Sequence, residues 1–321
     1  MNDFIKAEKV VSTALGILER EVLLPNLVWR DAGGDFAGAK GDAITVRLPS
    51  YAVANRRKLR SGTTRQKSAL HERAVVLTLT EDVYMDVPIT DEQLTLDIAD
   101  FGRQVLNPVL AGVGRELEDI LVEKITGATY QNEVEIDYAN LKGTIAAARR
   151  FLNDAEVPHA DRTLLIGSEV EEQIIQLDNF VKANESGTTS TLREATIGKI
   201  YGFTVVSSNR IAPGEAYAFH KSAYVLSQRA PVIPAGAPWG ATASYAGMAI
   251  RTVRVFDPNE VEDRFIADSW CGADIVADQG EYDANGKFVP AEEPEAGGSD
   301  ALFIRAVKLT PAEVVDPDPG E

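Results

Sequence analysis

The 321-residue sequence predicts an α+β protein of elongated or flat shape. Three observations carry this. Residues 90–127 hold one very long helical period, in which Leu94, Ile98, Phe101, Val105, Val109, Val113, Leu117, Ile120 and Leu121 recur mostly at steps of three and four. Stretches at 44–48, 75–83 and 244–256 alternate apolar and polar residues, the period of a half-buried strand. Between 137 and 230 short apolar runs and helical stripes take turns, an α/β rhythm.

Taken in order, residues 4–22 read as an amphipathic helix with Phe4, Ile5, Val10, Val11, Leu15, Leu18 and Val22 on one face, ended by Pro25. After the loop Asp31–Asp35 comes the strand of Ile44, Val46 and Leu48, and a second alternating stretch runs from Val75 through Leu77 and Leu79 to Val83. The long helix opens on a capping box, Thr90 with Gln93, and stops at Gly127. Some 35 helical residues would make a rod of roughly 50 Å, and Pro108, lacking a backbone donor, should bend it near the middle. Asp137 can cap a helix with the stripe Leu141, Ile145, Ala148 and Leu152; Thr163–Ile166 reads as a buried strand; Ser168 with Glu171 forms a second capping box. The apolar-free run 184–190 reads as a mobile loop. Strands follow at 203–206, 216–219, 244–256, 264–267, 273–276 and 303–307, and Asn285-Gly286 between Tyr282 and Phe288 signals a hairpin turn.

Composition is that of an ordinary globular chain, 45% hydrophobic and 25% charged, so disorder and simple coiled coils are excluded. The length suits about two domains. No apolar run approaches the ~20 residues of a membrane span. The first residues, Met1 to Lys6, lack a basic stretch followed by an apolar one, so a reducing cytoplasm is the expected compartment. Cys271 stands alone, which excludes an internal disulfide framework. The net charge of -17 is unevenly spread. Residues 55–73 carry seven Lys or Arg against one Glu, a net +6, whereas 74–130 carry -8 and 257–321 carry -13. That basic island, with Arg56, Arg57, Lys58, Arg60, Arg65 and Lys67, lies between two strands and has too few large apolar side chains to bury a core. A two-stranded ribbon alone is marginal in water. The segment is therefore either disordered or a hairpin that docks, with acidic surface of another copy as the natural place.

The sequence holds no recognisable catalytic or metal-binding motif. No Gly-Lys-Ser/Thr occurs, and Gly112-Val113-Gly114 falls inside the long helix, where close packing explains it. His71, His159 and His220 show no metal-ligand spacing. Gly167-Ser168-Glu169 lacks the second glycine of a nucleophile elbow, and capping accounts for Ser168. Cys271 reads as a small buried hydrophobe. Glu281, Asp283, Asn285, Gly286 and Glu292 fall at calcium-loop positions, but Pro290 and Pro294 deny the exiting helix and the hairpin is the better reading. The island holds no aromatic residue to stack on bases. No enzyme, cofactor or metal is expected.

Several stretches in order carry a resemblance. Leu15–Glu21 leads into Leu27-Val28-Trp29-Arg30-Asp31 and Asp35–Asp42; Leu70–Arg73 and Ile89–Leu96 flank the return of the ribbon; Ile197–Phe203 precedes Val205–Asn209; Ala218–Tyr224 and Gly247–Arg251 complete the pattern. None is catalytic. The order resembles the major capsid protein family of tailed bacteriophages, nearest to coat proteins of actinobacterial phages and more remotely to the short-tailed Salmonella phage coat protein, a fold shared with encapsulins and herpesvirus shells.

The resemblance implies an N-terminal arm at 1–42, an extended hairpin loop with flanking strands at 43–90 and a peripheral domain with a spine helix at 91–136. It implies an α/β axial domain at 137–245, return strands at 246–310 with an acidic insertion at 281–300, and an acidic tail at 311–321. It implies pentamers and hexamers of an icosahedral shell around double-stranded DNA held without sequence readout. Its partners would be a separate scaffolding protein, since the arm helix begins at residue 4, a portal protein and decoration proteins, with no membrane. The setting would be the virion, assembled in host bacterial cytoplasm; an encapsulin-like compartment is the alternative. Phe4, Ile5, Val11, Leu15 and Leu18 of the arm, with the six island cations, are the expected intersubunit contacts.

Overall fold

The computed structural model describes residues 23–30, 43–48, 55–60, 64, 73–90, 101–177, 196–245, 248–260, 262–284, 288–290 and 301–311. Among them lie β1 (Ala43–Leu48), β2 (Arg73–Thr78), β3 (Glu81–Ile89), α1 (Asn107–Thr126), β4 (Glu133–Ile136), α2 (Leu141–Asp154), β5 (Arg162–Ile166) and α3 (Ser168–Ile175). Then come β6 (Thr196–Ile200), β7 (Phe203–Ser207), β8 (Ala216–His220), β9 (Tyr224–Arg229), β10 (Trp239–Tyr245), β11 (Met248–Asp257) and β12 (Glu262–Ile275). The chain closes with β13 (Ala277–Tyr282), β14 (Phe288–Pro290), β15 (Ala301–Ile304) and β16 (Ala306–Pro311).

Two larger sheets organise the molecule. One runs β10-β11-β12-β3 with β9 also on β12; the other runs β4-β16-β8-β5-β7-β6. β1-β2 and β14-β13-β15 stand as small sheets. α1 ties the two larger ones together. Its first half puts Val109, Val113 and Leu117 on Val83, Ile250, Phe265 and Cys271 of the first sheet. Its second half puts Leu121, Val122 and Ile125 on Leu165, Val206, Tyr217 and Phe219 of the second. The other face of that sheet is covered by α2 and α3, whose Leu141, Ile145, Ala148, Leu152, Val170 and Ile174 meet Leu164, Ile166, Phe203 and Val205. Successive β5 residues thus point to opposite faces, and all are buried. Gly112 permits the approach of α1 to β3, since a Cβ there would come within 2.8 Å of the Met85 sulfur.

Several sequence expectations are corrected. The expected 90–127 helix is described from 101 only; Gln93 of its capping box lies outside the described residues. Ahead of α1 the helix makes a π turn, Gly102–Leu106, so the disturbance expected at Pro108 appears as a widened turn before it. Residues 75–83 are not one strand: β2 ends at Thr78, and Thr80 N donates to Cys271 O at 3.1 Å as the chain changes sheet. The strand read at 244–256 is the second arm of a hairpin, Tyr245 pairing with Met248. Those read at 264–267 and 273–276 are one strand, β12, because its polar centre is satisfied: Arg251 binds Asp268, and Ser269 Oγ donates to Ala249 O at 2.7 Å. The strand read at 303–307 breaks at Arg305 into β15 and β16.

Asp137 caps a short 3-10 turn, accepting from Ala139 and Asn140, and Asn140 caps α2. Ser168 makes no cap. Gly167 holds the N-cap position, Glu169 N donates to Pro213 O at 3.0 Å, and Glu171 instead accepts from Ser207 Oγ at 2.5 Å. The hairpin expected about Asn285-Gly286 is borne out in its arms, Tyr282 pairing with Phe288. Residues 4–22 and 184–190 lie outside the described residues.

Candidate assembly interface

β1 and β2 form an antiparallel ribbon from Ala43↔Thr78 to Leu48↔Arg73. Its root is fixed against β12. Leu77 is buried, and Gly272 faces Thr78 so closely that a Cβ would lie 2.1 Å from the Thr78 carbonyl oxygen. Residues 55–60 are all exposed, Leu59 by 90%, and Arg60 takes a positive φ of 63°. Arg56, Arg57, Lys58 and Arg60 therefore lie together on one exposed stretch. Arg65 and Lys67, like Phe4, Ile5, Val11, Leu15 and Leu18, lie outside the described residues.

Among the described residues part of the acidic counterpart is already engaged within the subunit. Asp86 is bound by Arg264, and Glu118 and Asp119 are bound by Arg210. Glu81, Asp82, Glu116 and Glu123 remain exposed. The Cys271 thiol is pushed up to about 12, chiefly by burial and then by the charges of Glu81, Asp82 and Glu116. The Asp82 carboxyl is itself raised by partial burial and by Asp268.

Residues 23–30, the base of the expected arm, are built into the core. Leu24 and Val28 are buried against the second half of α1. Glu118 Oε1 accepts from Leu23 N at 2.6 Å and Leu24 N at 3.3 Å, while its other oxygen takes Arg210 Nε at 3.0 Å. Trp29 bridges to β9, its N–H donating to Tyr224 O at 3.1 Å and its carbonyl accepting from Leu226 N at 2.9 Å. Pro25, read as a helix stop, sits inside a 3-10 turn, Leu24–Asn26.

The remaining polar candidates have structural settings. His220 Nδ1 accepts from Ser222 N at 3.2 Å, and Cys271 is fully buried, as expected of it. Among the described residues no group of three His, Cys, Asp or Glu is placed to hold a metal ion. No described helix is long and apolar enough to cross a membrane. Sequence reasoning missed Tyr84 and Trp270, large aromatics exposed by 65% and 41% on neighbouring strands. It also missed Gly272 and Glu118, whose roles depend on contacts between distant segments.

The described residues thus combine a rooted cationic ribbon with exposed carboxylates elsewhere on the same chain, the outline of a structural subunit. The particular family follows from comparison: residues 82–288 match the family model described as phage capsid protein, and the chain belongs to that family. It is a phage capsid protein, a structural component of the virion that works as a homo-oligomer. Solved structures share its fold. One from Mycobacterium phage Che8 is 18% identical over 90% of each chain, with a TM-score of 0.52. The capsid of Ralstonia phage GP4 is 10% identical over 88% of this chain and 86% of the other, with a TM-score of 0.56. A virus-like particle from Pyrococcus furiosus is 10% identical over 94% and 98%, with a TM-score of 0.51. No curated protein matches significantly.

Proposed function

We propose that the chain forms the pentamers and hexamers of an icosahedral shell enclosing double-stranded DNA, assembled in the bacterial cytoplasm on a separate scaffolding protein around a portal, with decoration proteins as further partners. Residues 1–42 act as the arm and 43–90 as the extended loop with its strands. Residues 91–136 and 246–310 form the peripheral domain, with an acidic elaboration at 281–300; 137–245 form the axial domain, and 311–321 an acidic tail. Different patches of one chain meet, so the interface is heterologous and closes into rings. Arg56, Arg57, Lys58, Arg60, Arg65 and Lys67 face carboxylates of a neighbour, and Phe4, Ile5, Val11, Leu15 and Leu18 lie on a neighbouring copy.

The carrying observation is the ribbon, rooted at Leu77 and Gly272 yet exposed throughout residues 55–60. Electron microscopy of the protein expressed alone and with its scaffolding protein tests the reading. Closed shells or capsomer rings are expected; compact monomers under every condition would contradict it. The likeness to the Pyrococcus furiosus virus-like particle motivates a second reading, an encapsulin-like shell that encloses protein. Nucleic acid or protein inside purified shells separates the two.

A further inference from the structure

The face of the first sheet turned away from α1 carries an unusual surface. Tyr84 sits opposite Asp268 and Trp270 opposite Asp82, so the two rings are diagonal neighbours on one face. Val83 and Cys271 point the other way, into the core. The carboxylates on this face are not equivalent. Asp86 is bound by Arg264 and Asp268 by Arg251, whereas Asp82, hydrogen-bonded to the Trp270 side chain, stays exposed; Glu81, paired with Cys271, belongs to the opposite face. The negative charge left over lies at the Trp270 end, two residues from Gly272, where the ribbon is rooted.

We propose that this patch receives residues 55–60 of a second copy, with guanidinium groups of Arg56 and Arg60 lying on the Trp270 and Tyr84 rings and Lys58 facing Asp82. The inference rests on the shell reading and deepens it by naming the receiving surface. Charge complementarity is the first support. The second is the chemistry of the donor: three of the four described cations are arginines, whose planar groups stack on aromatic faces as well as pairing with carboxylates. The island carries no aromatic residue, so the rings come from the receiving side. The third is placement. The six-residue paired strands alone carry the island roughly 20 Å along the ribbon. Donor and acceptor on one subunit make a head-to-tail contact, the kind that closes rings.

The test is zero-length carbodiimide coupling in shells assembled from equal parts of nitrogen-14 and nitrogen-15 full-length protein, read by mass spectrometry. Mixed-isotope peptides joining Lys58 to Asp82 are expected. Mixed-isotope joins from Lys58 to other carboxylates only would overturn the patch and leave the docked ribbon standing. Joins within single chains only, or failure to form shells, would overturn both. As an independent reading, Trp270→Ala should raise the subunit concentration needed for shells roughly tenfold with an unchanged melting temperature. An unchanged threshold would contradict the stacking role.

Discussion

Gly272 and Thr78 touch backbone to backbone: a Cβ on residue 272 would sit 2.1 Å from the Thr78 carbonyl oxygen and 3.2 Å from the Leu79 Cα. No flexible side chain can yield here, so the absence of a side chain at 272 sets how the ribbon leaves the sheet. Gly272→Ala should displace the root and lower stability by about 2–3 kcal/mol, the range of overpacking. Denaturant unfolding measures the loss, and a variant as stable as the parent would show that the root has slack.

Glu118 joins the arm base to the rest of the subunit by accepting from Leu23 and Leu24 while its second oxygen holds Arg210. Glu118→Ala leaves two backbone donors and a guanidinium short of their acceptor. A loss of about 2–3 kcal/mol is expected, as for hydrogen bonds to a charged group. Amide exchange of Leu23 and Leu24 should rise with it; unchanged protection would assign the arm's hold to Leu24 and Val28 packing.

Folding stability should fall as the solution is acidified through the histidine range. Burial lowers the His220 pKa, Arg305, Arg162 and Lys221 lower it further, and Asp161 opposes them. Neutral His220 accepts from Ser222 N through Nδ1, and a proton there ends that bond. Its contribution is therefore present above the unfolded-state value near 6.5 and is lost as pH falls through the lower folded-state value. His220→Asn should flatten the stability profile between about pH 7 and 5, read by urea midpoints. An unaltered slope would assign the acid sensitivity elsewhere.

The Cys271 thiol, pushed up to about 12, is almost wholly protonated at pH 8, with roughly one molecule in ten thousand as thiolate. It is also fully buried. Labelling by a disulfide reagent should be very slow in the native protein and complete in denaturant. Rapid native labelling would contradict the packing of β12 on α1.

What the sequence disclosed follows the range of each interaction. The stripe Leu141, Ile145, Ala148 and Leu152 depends on one helical period, and all four side chains are buried as read. The ribbon strands β1 and β2 show through alternation alone. β12 reads as two strands because Asp268 and Ser269 look like a break until Arg251 and Ala249, across the sheet, satisfy them. Ser168 looked like a cap because the competing acceptor, Pro213 O, comes from a distant loop. The surface of Tyr84 and Trp270 was invisible for the same reason: the β3–β12 register creates it. The charge pattern marks the basic stretch, while the pairing of Asp86, Glu118 and Asp119 within the subunit depends on partners far away in sequence.

The central claim is that the exposed cations of the ribbon drive assembly, and a charge-reversed subunit tests it most directly. Arg56→Glu, Lys58→Glu and Arg60→Glu in one full-length chain alter exposed positions only, so the melting temperature should match the parent. Electron microscopy of this protein under conditions where the parent closes into shells should show free subunits or malformed particles. Normal shells in normal yield would contradict the account.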